Sequence, residues 1–207
     1  MLTKEEFMIK KSNKGYSLVE LIIVIAIIVV LSAMSLVSIT LINTARCKDA
    51  STKFGDEVIA LRKKSMDMTP GYSSGGVDYT KYGLVLYKES DNFKIAPADC
   101  GLKNNPLPGM TGKKYYAYEL NESEAIVMSS RVDVKFKGTY TPIFASTTEE
   151  TRNGSRPGAK NSTGAIGIMF DKHGNCISGY GEYLFYKKNG NQVARVIVKP
   201  NGSVEIR

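Results

Sequence analysis

The sequence predicts an α+β protein, in which one long N-terminal α-helix precedes a C-terminal antiparallel β-sheet domain. The 22 residues of Leu21–Ile42 contain no Asp, Glu, Lys or Arg and are rich in Ile, Val and Leu. From about residue 72 onward, short β-prone runs are separated by turn signals. We expect the first half of the helix to be apolar all round and the second half to pack on the sheet domain.

The apolar run is long enough to cross a bilayer, since a spanning helix needs about 20 apolar residues. A secretory signal would have a shorter apolar core with a small-residue cleavage site after it. Here Gly15 lies before the run, so cleavage at this glycine would leave the run on the mature protein. The lysines of residues 1–14 predict, by the positive-inside rule, a cytoplasmic N-terminus with the C-terminal bulk outside.

The residues at the start of the run form a specific motif. Residues 14–20 read Lys-Gly-Tyr-Ser-Leu-Val-Glu and are followed by Leu-Ile-Ile-Val-Ile. This stretch resembles the class III signal of type IV pilins and type II secretion pseudopilins. The resemblance implies that a prepilin peptidase cuts between Gly15 and Tyr16 and N-methylates Tyr16. Glu20 then matches the family's acidic residue, the fifth of the mature chain.

Glu20 is therefore the candidate assembly residue. A carboxylate in an apolar segment costs free energy unless it is paired. The resemblance implies that Glu20 meets the terminal amine of Tyr16 on an adjacent subunit, which would reward the correct axial register. The alternative is that Glu20 lies in the headgroup zone and reaches water along its own side chain.

We expect the helix to be unbroken. Many pilins carry Gly and Pro within the apolar segment, where this chain has Val29 and Val37, and the first proline is Pro70. Without proline the hydrogen-bond ladder need not break, so the sequence predicts no strong kink. Three serines can bond back to the helix or line a helix–helix contact: Ser32, Ser35 and Ser38.

Beyond the apolar run, the helix should become amphipathic. Steps of three and four residues define one apolar face, made by Ala45, Cys47, Ala50, Phe54, Val58 and Leu61. Pro70 and Gly71 should end the helix. A helix over residues 16–66 would be about 75 Å long.

The remaining chain predicts one antiparallel β domain, because about 135 residues suffice for a single core. The expected strands are 82–87, 92–95, 114–118, 126–128, 132–136, 166–170, 183–186, 194–198 and 203–206. Asn-Gly marks turns within 188–191 and 200–202. The polar segment Thr147–Thr163 is predicted to be a mobile loop. The expected domain boundaries are a leader at 1–15, the membrane or filament-core half of the helix at 16–42, its amphipathic half at 43–68 and the β domain at 69–207.

The last strands have a further likeness. Residues 168–170, 183–186, 195–198 and 201–206, together with 61–66 near the helix end, resemble GspH/FimT-type minor pseudopilins. This resemblance rests on a looser pattern than the N-terminal motif does. It implies a minor pilin or pseudopilin more than a major pilin.

The charge balance raises the question of an anionic partner. The chain has 28 basic and 20 acidic residues, a net charge of +8. Without residues 1–15 the net charge is +6, because that segment holds four Lys and two Glu. Basic surfaces bind DNA, acidic polymers or anionic lipid. The FimT-type resemblance implies DNA binding through basic C-terminal residues; the candidates are Lys187, Lys188, Arg195, Lys199 and Arg207. The alternative is a solvated basic face, which the incomplete basic motif near Gly202 favours.

The three cysteines allow at most one internal disulfide. Cys100 and Cys176 both fall near predicted loops, and their pairing is the candidate because the β domain should lie outside the cytoplasm. Cys47, on the helix, should be a buried small residue or a free thiol. No cysteine spacing indicates a zinc site.

The sequence offers no catalytic motif, so we expect no enzyme activity and no cofactor or metal. His173 is the single histidine and is expected in an exposed turn. Asp171 and Asn175 in the same turn could touch a cation, but turns use these residues routinely.

Together, the residues and the resemblance predict a structural filament subunit of a type IV pilus or a type II secretion-like filament. The expected partners are the prepilin peptidase, other pilin or pseudopilin subunits, the cytoplasmic membrane, the inner-membrane assembly platform and its motor ATPase. We expect the protein first in the cytoplasmic membrane and then in an extracellular or periplasmic filament. The two rival hypotheses are a DNA-binding minor pilin of an uptake pilus and an uncleaved single-pass membrane protein.

Overall fold

The computed structural model describes residues 16–67, 72–74, 77–103, 115–140, 150–159, 164–188 and 190–207. The chain divides after Leu41 into two compact units, Met1–Leu41 and Ile42–Arg207. Helix α1 extends over Leu18–Met66, and antiparallel β-sheets follow it, which confirms the predicted α+β, pilin-like architecture. The leader, including Gly15, and the predicted stop at Pro70 and Gly71 lie outside the described residues.

Helix α1 is continuous through the apolar run, as the missing proline predicts. Two of its serines bond back to the preceding turn. The Ser32 hydroxyl donates to the Ile28 carbonyl at 2.7 Å, and the Ser38 hydroxyl donates to the Met34 carbonyl at 3.1 Å. The side chain of Ser35 lies outside the described residues. Back-bonding satisfies these two hydroxyls within the helix, so neither needs a polar neighbour.

The described residues form twelve strands and one short 3-10 helix, Glu122–Glu124. The strands are β1 (Tyr72–Ser74), β2 (Val77–Glu89), β3 (Asn92–Lys103), β4 (Tyr115–Leu120), β5 (Ile126–Val127), β6 (Val132–Tyr140), β7 (Glu150–Ser155), β8 (Ile166–Asp171), β9 (Cys176–Ser178), β10 (Tyr180–Lys187), β11 (Gln192–Val198) and β12 (Val204–Ile206).

These strands make two antiparallel sheets. The first has the order β4-β3-β2-β8-β9, with β1 paired to β2 and β5 paired to β3. The second has the order β12-β11-β10-β6-β7. The pairs β2–β8 and β6–β10 join strands that lie far apart in sequence. The chain therefore passes between the sheets more than once, and both sheets belong to the compact unit Ile42–Arg207.

All nine predicted strands are present with shifted ends, and three strands were missed: β1, β7 and β9. The prediction of a loop over Thr147–Thr163 was wrong in part, because β7 pairs with β6 within it. Strand β7 reads Glu-Thr-Arg-Asn-Gly-Ser and lacks any apolar alternation. Backbone hydrogen bonds to a neighbouring strand hold it at the sheet edge, and a period-two pattern cannot reveal such a strand.

The core lies where α1 meets both sheets. Cys47, Ala50, Phe54, Val58 and Leu61 are buried there, with residues from each sheet in the same cluster. The amphipathic face is confirmed except at Ala45, which is exposed because the core cluster begins at Cys47. The Phe54 ring centroid lies 4.5 Å from that of Tyr183 and 5.9 Å from that of Phe185. An aromatic contact of this kind joins the helix to β10.

We expect Phe54→Ala to lower the free energy of unfolding by about 3–5 kcal/mol, because it leaves a cavity at the centre of this cluster. The matched control is Lys53→Gln at the adjacent position, where the side chain is 57% exposed. Urea unfolding of the full chain in detergent measures both variants. Equal stability of the two variants would contradict the assignment of Phe54 to the core.

The C-terminal end of α1 contacts two turns that contain glycine. The Arg62 guanidinium donates from Nε to the Gly174 carbonyl at 2.9 Å. Gly174 and Gly202 have φ of +80° and +76°, in the left-handed region that favours glycine. A β-carbon on Gly202 would overlap the carbonyl oxygen of Gly174 and lie 2.7 Å from Arg62 Nε. This close approach requires glycine at the turn between β11 and β12.

We expect Gly202→Ala to destabilise the protein by clearly more than the cost of positive φ alone, which is about 1–2 kcal/mol. Gly154→Ala is the matched control, because Gly154 also has φ +76° and an added β-carbon there would have nothing within 4 Å. Thermal unfolding compares the two variants. An equal shift would mean that the contact with Gly174 relaxes without cost.

Candidate functional site

The apolar half of α1 is exposed along its whole length. Among the described side chains from Tyr16 to Leu41, none is buried. By length and composition this helix can cross a membrane, since an 18-residue window reaches a mean hydropathy of 3.0. A contiguous apolar surface of this size marks a contact with lipid or with other protein. The candidate site is therefore this segment and the residues at its start.

Glu20 lies in the first turn of α1. The Leu21 amide donates to the Ser17 carbonyl at 3.1 Å, so helical hydrogen bonding begins directly after Tyr16. Tyr16 itself is 81% exposed. Between Tyr16 and Ala45, Glu20 is the one charged side chain in the sequence. A cation that pairs with Glu20 must therefore come from the amino end of a chain or from another molecule.

Comparison with known proteins identifies this segment. Residues 10–42 match the family model of the prokaryotic N-terminal methylation motif. The chain carries a prepilin-type signal. The match confirms the resemblance predicted from residues 14–25 and supports a structural subunit of pilin or pseudopilin type. No curated protein and no solved structure matches the chain. The motif implies processing by a prepilin peptidase and assembly with other pilin subunits.

The five basic candidates for DNA binding are mostly engaged with carboxylates. The Lys188 ammonium lies 3.5 Å from Asp91, and the Arg195 guanidinium lies 4.0 Å from Glu182. Lys199 and Arg207 both donate to Glu205, the latter at 2.6 Å. These two bonds, that of Lys199 first, lower the pKa of the Glu205 carboxyl.

Lys187 differs from the other four candidates. No carboxylate pairs with it among the described residues, and it lies near the Cys47 thiol, where its charge favours the thiolate. The structure therefore does not gather the five residues into one uncompensated basic patch. Four of the five positive charges have an acidic neighbour, which weakens the argument for a DNA site at this end of the chain.

The structure does not form the predicted Cys100–Cys176 disulfide. Cys176 is a buried free thiol whose Sγ donates to the Ser178 carbonyl at 3.1 Å. Cys100 is on β3 and Cys176 on β9, with β2 and β8 between them. Three strand spacings place their backbones about 14 Å apart, whereas a disulfide needs α-carbons within about 7 Å. Proximity to loops in the sequence was therefore a misleading signal.

Cys47 is a buried free thiol, as predicted, and its Sγ donates to the Tyr186 carbonyl at 3.3 Å. Burial raises the pKa of the Cys47 thiol, although the charge of Lys187 opposes this. Burial raises the pKa of Cys176 to about 12. A thiol reacts as its thiolate, so both groups should be inert in the folded protein.

We expect Cys176 to resist iodoacetamide at pH 8 in the folded protein and to react fully after unfolding in urea without reductant. Peptide mass spectrometry of the alkylated chain measures this. The control is a sample reduced before it is unfolded, which should give the same result. A Cys176 peptide that becomes alkylated only after reduction would mean that the thiol is in a disulfide.

The described residues show no assembled catalytic or metal site. His173 is exposed in the turn between β8 and β9, as predicted. The Asp171 carboxylate accepts the amides of His173 at 2.9 Å and Asn175 at 2.7 Å, so it organises this turn. No group of three His, Cys, Asp or Glu side chains in the described part of the chain could hold a metal ion. An open cleft of about 570 Å³ beside Lys64 and Tyr82 is lined mostly by apolar and acidic groups.

Sequence reasoning missed a basic group near the start of the domain. Arg46 and Lys48 are visible as helix residues, but Arg131 joins them only through the fold. The Lys188 amide donates to the Arg131 carbonyl at 2.8 Å, and Cys47 contacts Tyr186, the neighbour of Lys187. No local sequence signal places residue 131 beside residue 46.

Proposed function

We propose that this chain is a pilin-type or pseudopilin-type filament subunit that is built into the filament through its N-terminal helix. It is made as a precursor, held in the cytoplasmic membrane by Leu21–Ile42 and cut after Gly15. One observation carries the proposal: the methylation motif at residues 10–42 includes the exposed apolar half of α1, in which Glu20 is the one charged side chain before Arg46.

The helix performs two roles in sequence. In the membrane its apolar side chains face lipid, and from the Leu21 amide onward the helical hydrogen bonds pair the backbone within the span. In the filament the same side chains pack against the helices of other subunits, so transfer from lipid to the bundle gains little apolar burial to drive it. Assembly therefore needs a directed input of work, which we assign to the assembly platform and its motor ATPase.

Glu20 sets the register in this proposal. After cleavage, the methylated amine of Tyr16 carries a positive charge. The Glu20 carboxylate of a neighbouring subunit forms an ion pair with this amine. A carboxylate left unpaired in an apolar bundle is costly, so subunits out of register are disfavoured. The amphipathic half of α1 keeps the β domain attached on the outside of the bundle.

We propose further that it is a minor subunit, because residues 168–170, 183–186, 195–198 and 201–206, with 61–66, resemble GspH/FimT-type pseudopilins. The protein does no chemistry of its own and is the substrate of the peptidase. DNA binding has no specific observation in its favour, because carboxylates neutralise most of the candidate cations.

The deciding experiment is intact-mass and N-terminal analysis of the protein from its native membrane, with and without the prepilin peptidase. We expect a terminus at Tyr16 carrying one added methyl group, which is lost when the peptidase is absent. An intact leader in both strains would overturn the proposal and leave an uncleaved single-pass membrane protein.

We expect Glu20→Ala to reduce incorporation into filaments by at least about tenfold while leaving cleavage after Gly15 intact, because the variant loses a buried charge pair. Ser32→Ala is the control in the same segment, since it removes a hydroxyl that bonds only within its own helix. Immunoblots of sheared filaments and membranes measure both variants. Normal incorporation of Glu20→Ala would rule out the register role.

A further inference from the structure

We propose that the start of the globular unit is a docking surface for anionic phospholipid headgroups. Its cations are Arg46, Lys48, Arg131 and Lys187, here called the basic collar. The inference rests on the membrane-held stage of the proposed function. It adds a role for the domain itself, which would lie against the bilayer before the subunit is extracted.

The fold brings the collar together from three separate segments. Arg46 and Lys48 flank Cys47 on α1, and the Cys47 thiol lies 3.3 Å from the Tyr186 carbonyl, next to Lys187. In the pairing of β10 with β6, Lys187 lies opposite Val132, and Val132 is the residue that follows Arg131 in the sequence. Arg46 also lines a small cleft together with Val127 and Ser129. Ser129 and Arg131 both lie in the connection between β5 and β6.

The collar charges are uncompensated in the described part of the chain. Nearby carboxylates are already engaged: Asp49 pairs with Lys53 at 2.8 Å, and Asp91 pairs with Lys188 at 3.5 Å. Arg46, Lys48 and Arg131 are exposed, and Lys187 is half-buried. This end of the unit therefore presents positive charge to solvent, in contrast to the neutralised cations around Glu205.

The position along the helix matches a headgroup layer. Arg46 follows the end of the apolar run at Ile42 by four residues, a rise of about 6 Å. The headgroup region on each side of the hydrocarbon is about 5–7 Å thick. Arg46 therefore falls at the depth of the lipid phosphates when the run spans the bilayer, and Lys48, about 9 Å beyond Ile42, lies just outside that layer, from which its long side chain reaches back. Basic residues at this depth bind anionic lipid electrostatically.

Val127 adds an exposed apolar side chain to the basic collar. It is 54% exposed and lies in the two-residue strand β5, beside Arg46 in the small cleft. An exposed aliphatic side chain among cations suits a membrane interface, where acyl chains begin directly below the phosphates. Free nucleic acid would leave this side chain in water. Together with the covalent link to the apolar run, this favours lipid as the occupant.

The test uses the absence of tryptophan from the chain. The full chain with Val127→Trp is reconstituted into phosphatidylcholine vesicles with or without phosphatidylglycerol, with brominated acyl chains as the quencher. We expect quenching of the single tryptophan to be at least about twofold stronger in the anionic vesicles and to weaken at high salt. His173→Trp, in the turn bonded to Arg62 at the other end of α1, is the control position and should stay unquenched.

Charge variants make the test specific. In the Val127→Trp background, Arg46→Gln, Lys48→Gln and Arg131→Gln together should abolish the extra quenching. Lys63→Gln, Lys137→Gln and Lys172→Gln together remove the same charge elsewhere and should retain it. Quenching that is independent of phosphatidylglycerol, or unchanged in the collar variant, would overturn the inference while the filament proposal stands.

Two further outcomes also decide against the inference. If the collar variant lost affinity for duplex DNA with no change in quenching, the collar would be a nucleic-acid surface. If the full chain failed to float with either type of vesicle, both the membrane anchor and the collar proposal would fall. The N-terminal mass analysis is independent of all these readouts, so failure of the filament proposal is recognised separately.

Discussion

The packing of one helix face against two sheets is the contact on which the rest of the structure depends. Phe54 is fully buried against Tyr183 and Phe185, and Cys47 and Leu61 extend the same cluster in both directions along α1. The cluster contains side chains from each sheet, so neither sheet has a complete core without the helix. Burying this face supplies the apolar contact that orders the β region. It also sets the point along α1 at which the exposed N-terminal half ends.

Small residues let the C-terminal strands come close to the helix. The Ile206 side chain lies directly against Gly55, and the Arg62 guanidinium bonds the Gly174 carbonyl beneath Gly202. The last strand and its turn therefore close the structure on the helix, although they are the most distant in sequence. Such contacts contribute little individually, but they depend on backbone approach that larger residues would prevent.

In the proposed function helix α1 serves two environments, a membrane and a filament, and the sequence distributes its charged side chains unevenly along the helix. After Glu20 no charged side chain occurs until Arg46, and Cys47, the first buried side chain among those that the structure describes, follows directly. A charged side chain within a membrane-spanning segment is costly, so the lone carboxylate at the start of this run marks it as a functional position.

The sequence by itself determined the methylation motif, the apolar span, the buried helix face and nine of the strands, because periodicity and composition encode these locally. It could not find β7, whose polar residues are held only by backbone bonds to β6, nor separate Cys100 from Cys176 by three strand spacings. The tertiary structure alone decided which cations pair with a carboxylate, as at Glu205, and which have no acidic partner in the described part of the chain, such as Arg46. These outcomes depend on pairings between distant segments, and strand register rather than local pattern sets such pairings.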